Sequence, residues 1–217
     1  MSRDEQRAVT RRYDRVAPVY DLYETPMEWL GGLRRLRRHL VSQARGEVLE
    51  VGVGTGKNLA FYPADVDLVA VDVSPRMLAR ARRRASRVGV EPRFVQADVQ
   101  RLPFPDDSFD TALATAVFCS VPDPVAGLRE LRRVTRPDGQ ILLLEHVRPD
   151  NPVLGLLADL VTPLTRRLFG FRANRRTEEN VAAAGIEPET VIRRGIWREI
   201  VGRPEAEAAK PHRSTSS

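Results

Sequence analysis

The chain has 217 residues, enough for one domain with a substantial core, and 42% of them are hydrophobic, as in a globular protein. It contains neither an apolar run of the ~20 residues that span a membrane nor a recognisable signal peptide, and its single cysteine excludes internal disulfides, so we expect a cytoplasmic protein. A net charge of +6, carried almost entirely by arginine, favours acidic partners such as phosphate groups, anionic lipid or nucleic acid.

The first 45 residues are predicted to form a helical arm that covers the cofactor and substrate site. Residues 1–15 are polar and charged, which is typical of a helix or of an arm that orders on binding. Thr25-Pro26 is a typical helix start, with threonine as the cap and proline in the first turn. This second helix should run to about Ala44, with its leucines on one face and its arginines on the rest.

The second helix allows two interpretations. An apolar stripe opposite a solvated basic face is typical of a helix that packs on a sheet. An apolar stripe that contains a tryptophan, here Trp29, and is flanked by arginines is also typical of a helix at a membrane surface. We expect Leu33, Leu36 and Leu40 to pack on the sheet, which leaves Trp29 and the arginines at 34, 35, 37 and 38 for membrane contact.

From residue 46 onwards, apolar strand patterns alternate with helical ones. The predicted strands are 47–51, 66–72, 92–97, 109–116 and 139–147, and the predicted helices are 56–61, 75–88 and 124–135. Such alternation predicts a parallel sheet with helices on both faces and a ligand site at the carboxyl ends of the strands.

Residues 148–188 break this alternation. They contain a helical stretch from Pro152 to Phe169, several arginines and a helix from Glu178 to Ala184, and two closing strands follow at about 189–194 and 196–202. We interpret 46–203 as the core, with 148–188 as a substrate-side insertion. Residues 204–217 are polar and contain two prolines, which predicts a disordered tail.

The stretch from Glu47 to Asn58 is the most informative part of the chain. A β-branched apolar strand is followed by Gly52, Gly54 and Gly56. Because glycine weakens strands, these three predict a sharp turn at which the backbone approaches a ligand closely. Asp72 ends the next strand, 20 residues after Gly52, and an acidic residue at that spacing reaches ribose hydroxyls.

The spacing Glu50-x-Gly52-x-Gly54-x-Gly56 differs from the dinucleotide pattern G-x-G-x-x-G and resembles motif I of the class I methyltransferases that depend on S-adenosylmethionine (SAM). Further stretches of that family's pattern follow at 71–78, 96–99 with 102–104, 107–110 and 136–140. The resemblance covers roughly 48–147. It implies a Rossmann-like α/β class I methyltransferase fold, with a mostly parallel seven-stranded sheet and helices on both faces, and SAM as cofactor.

The resemblance also assigns cofactor-binding residues. It implies that the glycine loop contacts the methionine part of SAM, with Glu50 addressing its amino group directly or through water. Asp72 would take the ribose hydroxyls, and Asp98 would accept from the adenine amino group. The complete predicted set is Glu50, Gly52, Gly54, Thr55, Gly56, Asn58, Asp72, Val73, Met77, Asp98, Val99, Ala114 and Thr115.

Two Tyr-Asp pairs, Tyr13-Asp14 and Tyr20-Asp21, resemble the N-terminal segment of methyltransferases that act on quinones and phospholipids, where it folds over the cofactor. A tyrosine ring excludes water and its hydroxyl orients a polar group, so Tyr20 is a candidate catalytic residue and Tyr13 a candidate substrate-binding residue. In the alternative interpretation, both rings only anchor the arm. His146 is a second catalytic candidate as a proton acceptor, although a buried structural histidine is the more common case.

The stretches 145–155 and 174–180 resemble bacterial soluble-type phospholipid N-methyltransferases, which methylate phosphatidylethanolamine at the membrane surface. Arg175 and Arg176, next to an apolar helix, would suit a lipid phosphate and are candidate substrate-binding residues. This resemblance implies a lipid substrate and peripheral contact with the anionic inner membrane face. Phe61-Tyr62-Pro63 and Cys119-Ser120-Val121 are similar to membrane-associated thiol methyltransferases, so a quinone, aromatic or thiol acceptor is the alternative.

Two other protein classes are disfavoured. The glycine spacing and Asp98 argue against a nucleotide-binding oxidoreductase. The basic stretches contain no zinc finger, RNA-recognition signature or stacking-aromatic pattern, so no nucleic-acid partner is expected. The three histidines and Cys119 lack metal-ligand spacing, and no metal site is expected.

Overall fold

The computed structural model describes residues 3–22, 32–168 and 171–205. A seven-stranded sheet consists of β1 (Glu47–Val51), β2 (Asp67–Asp72), β3 (Arg93–Gln96), β4 (Phe109–Thr115), β5 (Thr135–His146), β6 (Ile186–Arg194) and β7 (Trp197–Pro204). The helices are α1 (Arg3–Val16), a short 3-10 helix (Ala17–Val19), α2 (Leu33–Val41), α3 (Pro75–Val88), α4 (Pro124–Val134), α5 (Pro152–Leu168) and α6 (Thr177–Ala183).

The strand order β3-β2-β1-β4-β5-β7-β6 fixes where a ligand can bind. Strand β1 pairs in parallel with both β2 and β4. The chain runs outwards from β1 through β2 to β3 and then crosses back to β4 on the other side of β1, so the strand order reverses there. Open α/β sheets bind ligands at such a switch point, outside the carboxyl ends of the strands. Strand β7 runs antiparallel between β5 and β6, which confirms the predicted closing hairpin.

Both faces of the sheet are covered by helices, as predicted. Alternate side chains of β1 point to opposite faces: Leu49 joins the core under α4 and α6, and Val48 joins the core under α2. Helix α3 packs on the same face as α2, through Leu78 and Ala81. The predicted packing of the α2 leucines is confirmed, because Leu33, Leu36 and Leu40 are all buried against this face.

The predicted helix at 56–61 is wrong. This segment forms consecutive turns, closed by backbone bonds such as Phe61 N–H to Asn58 O at 2.8 Å. Two features prevent a helix here. Gly54 and Gly56 have φ values of 55° and 83°, outside the right-handed helical region, and Pro63 disfavours helical geometry in the residue before it.

Helix α2 begins later than predicted. Gly32 has a φ of 66° and is left-handed, so a continuous helix from Thr25 to Ala44 is excluded, and α2 starts at Leu33. Thr25, Pro26 and Trp29 lie outside the described residues, as do residues 206–217 of the predicted tail. Strand β7 extends to Pro204, the first residue assigned to that tail.

Strand β5 also begins earlier than predicted, at Thr135, and its pairing with β4 contains a bulge between Thr135 and Gln140. No helix within residues 3–22, 32–168 and 171–205 is both long and apolar enough to cross a membrane.

Candidate active site

A cleft opens at the carboxyl ends of β1, β2 and β4, where the sheet topology predicts a ligand site. It encloses about 830 Å³, including space open to solvent. The glycine loop, the strand tips and the N-terminal arm supply its walls. Its lining includes Tyr13, Tyr20, Arg37, Gly52, Gly54, Thr55, Asp72, Val73, Met77, Val99, Thr115 and Ser120. We call this space the cofactor cleft.

The glycine loop turns sharply at the floor of the cofactor cleft. Gly52 has a φ of 65°, and a methyl group there would lie 2.5 Å from the Val117 side chain. A methyl group on Gly54, whose φ is 55°, would meet only the Gly52 carbonyl at 3.9 Å and would otherwise extend into open space. The loop therefore presents bare backbone to the cleft, as the sequence predicts for a close ligand contact.

Asp72 lies at the tip of β2 and lines the cofactor cleft, as predicted. Its carboxylate accepts the backbone N–H groups of Gly54 at 2.8 Å and Ser74 at 2.9 Å. Burial raises its pKa to about 6, although these hydrogen bonds act in the opposite direction. The carboxylate is thus fixed to the glycine loop and to the start of α3, with lone pairs left to accept hydroxyl groups.

A buried polar network supports the loop from below. Glu50 is 1% exposed and accepts hydrogen bonds from Asn58 Nδ2 at 2.8 Å and from the Tyr62 hydroxyl at 2.9 Å. Burial raises the Glu50 pKa to about 7. Neither Glu50 nor Asn58 lines the cofactor cleft, so the structure gives no support for direct contact of either side chain with a ligand.

Two further members of the predicted cofactor set also lie behind the cleft wall. Gly56 packs closely against α3, since a methyl group there would lie 3.2 Å from Ala81 Cα. Ala114 is fully buried in β4. Their positions suit a role in shaping the loop rather than in touching a ligand.

Arg37 is a cleft residue that the sequence interpretation missed. We expected it on the exposed basic face of α2, available for membrane contact, but it is only 5% exposed and lines the cofactor cleft. Its guanidinium donates to Asn58 Oδ1 at 3.1 Å and to the hydroxyl of Thr115. The sequence does contain a sign of this position. Arg37 lies four residues after Leu33 and three before Leu40, which places it on the apolar face of α2.

The N-terminal arm closes one side of the cofactor cleft. Tyr13 and Tyr20 both line it, with ring centroids 6.4 Å apart. The Tyr13 hydroxyl lies 2.5 Å from Ser120 Oγ, and Lys57 Nζ lies 6.0 Å from the centre of the Tyr20 ring. The arm therefore places two aromatic rings over the space between the glycine loop and the segment after β4.

The aspartates of the two Tyr-Asp pairs hold the arm in place. Asp14 accepts from the Ser74 hydroxyl at 2.6 Å, at the start of α3. Asp21 accepts from Arg80 at 3.0 Å and Arg84 at 2.8 Å on α3, and from the Thr55 hydroxyl at 2.7 Å in the glycine loop. In each pair the acid anchors the arm and the preceding tyrosine faces the cleft.

The predicted adenine end of the cleft has apolar walls. Val73, Met77 and Val99 line it, as predicted. Asp98 does not: its carboxylate accepts from the backbone and side-chain nitrogens of Gln100, both at 2.9 Å. Asp98 thus does not line the cleft in this structure, and its expected contact with an adenine amino group stays a prediction.

His146 lies outside the cofactor cleft. Its ring packs edge-on against Phe171 and Trp197, at centroid distances of 5.7 and 6.1 Å. Burial, together with the nearby charge of Arg175, lowers its pKa to about 4, so the imidazole is neutral. These contacts are those of a partly buried aromatic cluster, and the structure does not support His146 as the proton acceptor.

The neighbouring Glu145 shapes the acceptor side of the cleft instead. Its carboxylate is fully buried and accepts the N–H groups of Val117 at 2.8 Å and Phe118 at 3.2 Å. These bonds hold the turn after β4, which leads to Ser120. The sequence interpretation gave Glu145 no role.

A second pocket, which we call the arginine pocket, adjoins the cofactor cleft. Three arginines from distant parts of the chain line it: Arg12 of α1, and Arg172 and Arg175 after α5. Four further lining residues are shared with the cofactor cleft: Val9, Ser120, Val121 and Pro122. Arg176, the other predicted substrate residue, lines neither space and pairs with Glu179 at 3.4 Å.

The residues of the cofactor cleft fit the predicted cofactor. A nucleoside needs apolar walls for its base and a hydrogen-bond acceptor for its ribose, and Val99, Met77 and Asp72 provide these along one side. An amino-acid moiety needs polar groups and accessible backbone, which Thr115 and the bare loop around Gly54 offer on the other side.

Comparisons with known proteins identify the chemistry. Residues 49–143 match the family described as a methyltransferase domain. The phosphatidylethanolamine N-methyltransferase of Cereibacter sphaeroides is 38% identical over 166 residues, which are 73% of this chain and 76% of that protein. The demethylmenaquinone methyltransferase of Thermus thermophilus is 35% identical over 152 residues, which are 67% of this chain and 69% of that protein.

Solved structures agree with this result. The YcgJ protein from Bacillus subtilis superposes with a TM-score of 0.63 at 28% identity, covering 73% of this chain and 70% of that chain. The complex of DhpI with SAH superposes with a TM-score of 0.71 at 21% identity, covering 95% of this chain and 100% of that chain, which shows the shared fold. The chain therefore belongs to the class I SAM-dependent methyltransferases, in the branch that includes phosphatidylethanolamine and quinone methyltransferases, and it uses SAM as its methyl donor.

Proposed function

We propose that this methyltransferase N-methylates the amino head group of a phospholipid of the phosphatidylethanolamine type. The observation that carries the proposal is the arginine pocket beside the cofactor cleft. Guanidinium groups match phosphate oxygens in geometry and charge, and Arg12, Arg172 and Arg175 converge on one space. A phosphoethanolamine head group carries a phosphate and an amine a few bonds apart, which suits two adjoining spaces of this kind.

Methyl transfer from SAM depends more on the positioning of donor and acceptor than on acid or base catalysis. SAM supplies a methyl group on a positively charged sulfur, and the neutral thioether that leaves needs no proton. The protein must hold donor and acceptor in line and exclude water. We assign the donor to the glycine loop and Asp72, and the exclusion of water to the rings of Tyr13 and Tyr20.

On the acceptor side, hydroxyl groups lie where the two spaces join. Ser120 lines both of them and is 2.5 Å from the Tyr13 hydroxyl. We propose that Tyr13 and Tyr20 orient the unprotonated amine through their hydroxyls, while Arg175 and its neighbours hold the phosphate. His146 has no part in this arrangement.

A quinone or another aromatic acceptor is the second candidate. It is favoured by the quinone methyltransferase of Thermus thermophilus and by the apolar residues Val9, Val117 and Val121 in the cleft walls. A thiol acceptor is a further alternative. Such acceptors would use the cofactor cleft in the same way, but they would not need the arginine pocket.

Methyl transfer to matched acceptors tests the proposal. Labelled SAM is offered with phosphatidylethanolamine in detergent micelles and, separately, with a demethylated quinone in the same micelles. We expect methylated phospholipid, and we expect Arg12→Ala combined with Arg172→Ala to lower its kcat/KM at least tenfold, because each charge-assisted hydrogen bond is worth roughly 1.5–3 kcal/mol. Any quinone activity should be unaffected by these changes.

Arg194→Ala, at an exposed position of β6, is the matched control and should leave both activities unchanged. Methylation of the quinone alone, or an Arg12 and Arg172 variant with full activity on the phospholipid, would contradict the phospholipid assignment.

A further inference from the structure

Helix α5 turns its apolar side outwards. Six large apolar side chains of this helix are exposed: Val153, Leu154, Leu156, Leu157, Leu160 and Leu164. At the centre of this face Val153 is 75% exposed and Leu160 is 69% exposed. They lie seven residues apart, two helical turns along one stripe. We call these six residues the α5 face.

The side of α5 that faces the domain is small and polar. Gly155 and Ala158 are buried, and the Arg148 guanidinium lies directly against Gly155. Asp159 accepts from Arg148 at 2.9 Å and from Asn174 at 3.0 Å. The usual orientation of a surface helix, with leucines inside and charges outside, is thus reversed.

This reversal implies that something apolar covers the α5 face. Exposure of six such side chains in one stripe far exceeds the scattered apolar residues of an ordinary surface. The charge around it is also one-sided, because residues 148–176 contain six arginines and two aspartates, a net charge of +4. Arg167, in the last turn of α5, and Arg176, at the end of this segment, are exposed.

We propose that the α5 face seats the enzyme on the surface of an anionic lipid bilayer, with its leucines at the acyl boundary. An apolar stripe flanked by arginines is the pattern of a helix that lies in the interface, and each basic residue near an anionic leaflet contributes attraction. The fold also relates this surface to the arginine pocket. Arg172 and Arg175 follow α5 in the chain and line that pocket, so a bilayer on the α5 face would lie beside it.

Charge argues against a second copy as the partner. A two-fold contact through the α5 face would place two segments of net charge +4 opposite each other. The helix also differs from the one that the sequence suggested for membrane contact. The leucines of α2 are buried on the sheet and Arg37 points into the cofactor cleft, so α2 has no apolar face to offer.

The proposal deepens the proposed function by naming the surface from which a lipid acceptor would arrive, and its test is separate from any activity. The variant Val153→Gln with Leu160→Gln removes the centre of the α5 face without adding charge. The control is Val88→Gln with Ile196→Gln. Val88 ends α3 and is 39% exposed, and Ile196 lies in the turn between β6 and β7 and is 46% exposed. The α5 variant loses a valine and a leucine, and the control loses a valine and an isoleucine. Because leucine and isoleucine are isomers, the two variants have the same change in overall polarity.

Flotation with vesicles gives the readout. We expect the wild-type protein and the control to float with phosphatidylcholine vesicles that contain phosphatidylglycerol, less with phosphatidylcholine alone, and less at high salt. The α5 variant should partition at least tenfold more weakly, because it no longer buries two large apolar side chains. SAM affinity, measured by calorimetry, should be the same in all three proteins.

Three results would overturn the proposal. The first is equal flotation of the α5 variant and the control, or no flotation of the wild-type protein on anionic vesicles. The second is a wild-type protein that is a dimer in solution and an α5 variant that is a monomer. The third is a large loss of thermal stability of the α5 variant without lipid, which would mean that another part of the chain covers the helix. Vesicle binding without phospholipid methylation would instead contradict only the proposed function.

Discussion

The two sides of the active site are built in different ways. On the donor side, the glycine loop and Asp72 lie at the ends of neighbouring parallel strands. The Gly54 backbone N–H donates a hydrogen bond of 2.8 Å to the Asp72 carboxylate and connects them. On the acceptor side, α1, the turn at Ser120 and the segment after α5 meet although Arg12, Ser120 and Arg172 are separated by 120 − 12 = 108 and 172 − 120 = 52 residues. The donor side is therefore defined by local spacing, whereas the acceptor side exists only after the chain has folded.

This difference predicts that single changes on the donor side have larger and more specific effects. The largest is expected for Asp72→Ala. If Asp72 accepts the ribose hydroxyls, its loss removes hydrogen bonds to a charged group worth roughly 1.5–3 kcal/mol each, and SAM affinity should fall by about a hundredfold. The fold should survive, because Asp72 ends a strand and because burial of its charged carboxylate is itself unfavourable for stability. Calorimetry with SAM and a circular dichroism spectrum test both expectations.

Asp98→Ala is the matched comparison on the same side. Its carboxylate is bonded to Gln100 rather than open to the cleft, so a smaller loss of affinity is expected. An equal loss in both variants would mean that the Asp98 carboxylate turns to the adenine when SAM binds. A folded Asp72→Ala protein with unchanged affinity would show that the ribose is held elsewhere.

The donor side shows what spacing alone can predict. Gly52, Gly54 and Asp72 are cleft residues because glycine permits the turn and because a fixed number of residues separates two strand ends. Glu50 and Asn58 match the same family pattern, yet they lie beneath the loop. A pattern fixes the position of a residue in the chain, but the side-chain direction depends on packing partners such as Tyr62 and Arg37 that the pattern does not include.

The buried network under the loop gives the second prediction, which concerns stability. Burial raises the pKa of Glu50 from its ordinary value of 4.5 to about 7, so between these values the folded chain binds a proton that the unfolded chain has released. The free energy of unfolding must then fall as pH rises through this window. Glu50→Gln removes this contribution to the pH dependence. The change that it causes in the free energy of unfolding should therefore be more favourable above pH 7 than at acidic pH, by up to about 3 kcal/mol.

Urea unfolding of both proteins across this pH range measures the difference. The free energy of unfolding of the variant should still decline as pH rises, because burial also raises the pKa of Glu145 to about 7 and that of Asp72 to about 6. Glu47→Gln, at an exposed position of the same strand, is the control. A Glu50→Gln protein that is destabilised at every pH would mean that its hydrogen bonds to Asn58 and Tyr62 outweigh the cost of burying the charge.

The acceptor side shows where sequence interpretation fails. Arg37 looked like one of several solvated arginines, and only the packing of α2 turns it into the cleft. The sequence identified α5 only as an apolar helix, since periodicity identifies a face but not the direction in which that face points. The catalytic assignment of His146 depended on its place at the end of β5, and the ring lies among aromatic side chains instead.

The smallest predicted effect concerns the arm, which joins the two sides. Asp21 connects the arm to α3 through Arg80 and Arg84 and to the glycine loop through Thr55. Because these bonds are partly solvent-exposed, Asp21→Ala should loosen the arm without unfolding the core, and it should lower methyl transfer by about tenfold through the displacement of Tyr20. Asp65→Ala, at an exposed position outside the cleft, is the control.

Hydrogen exchange of residues 3–22 measures whether the arm is released, and SAM titration measures the donor side separately. We expect faster exchange in the arm of the Asp21→Ala protein and a loss of turnover that exceeds any loss of SAM affinity, because the tyrosines act on the acceptor. Faster exchange with unchanged turnover would show that the arm does not close the site during the reaction. Unchanged exchange would show that Asp14, bonded to Ser74 at 2.6 Å, holds the arm by itself.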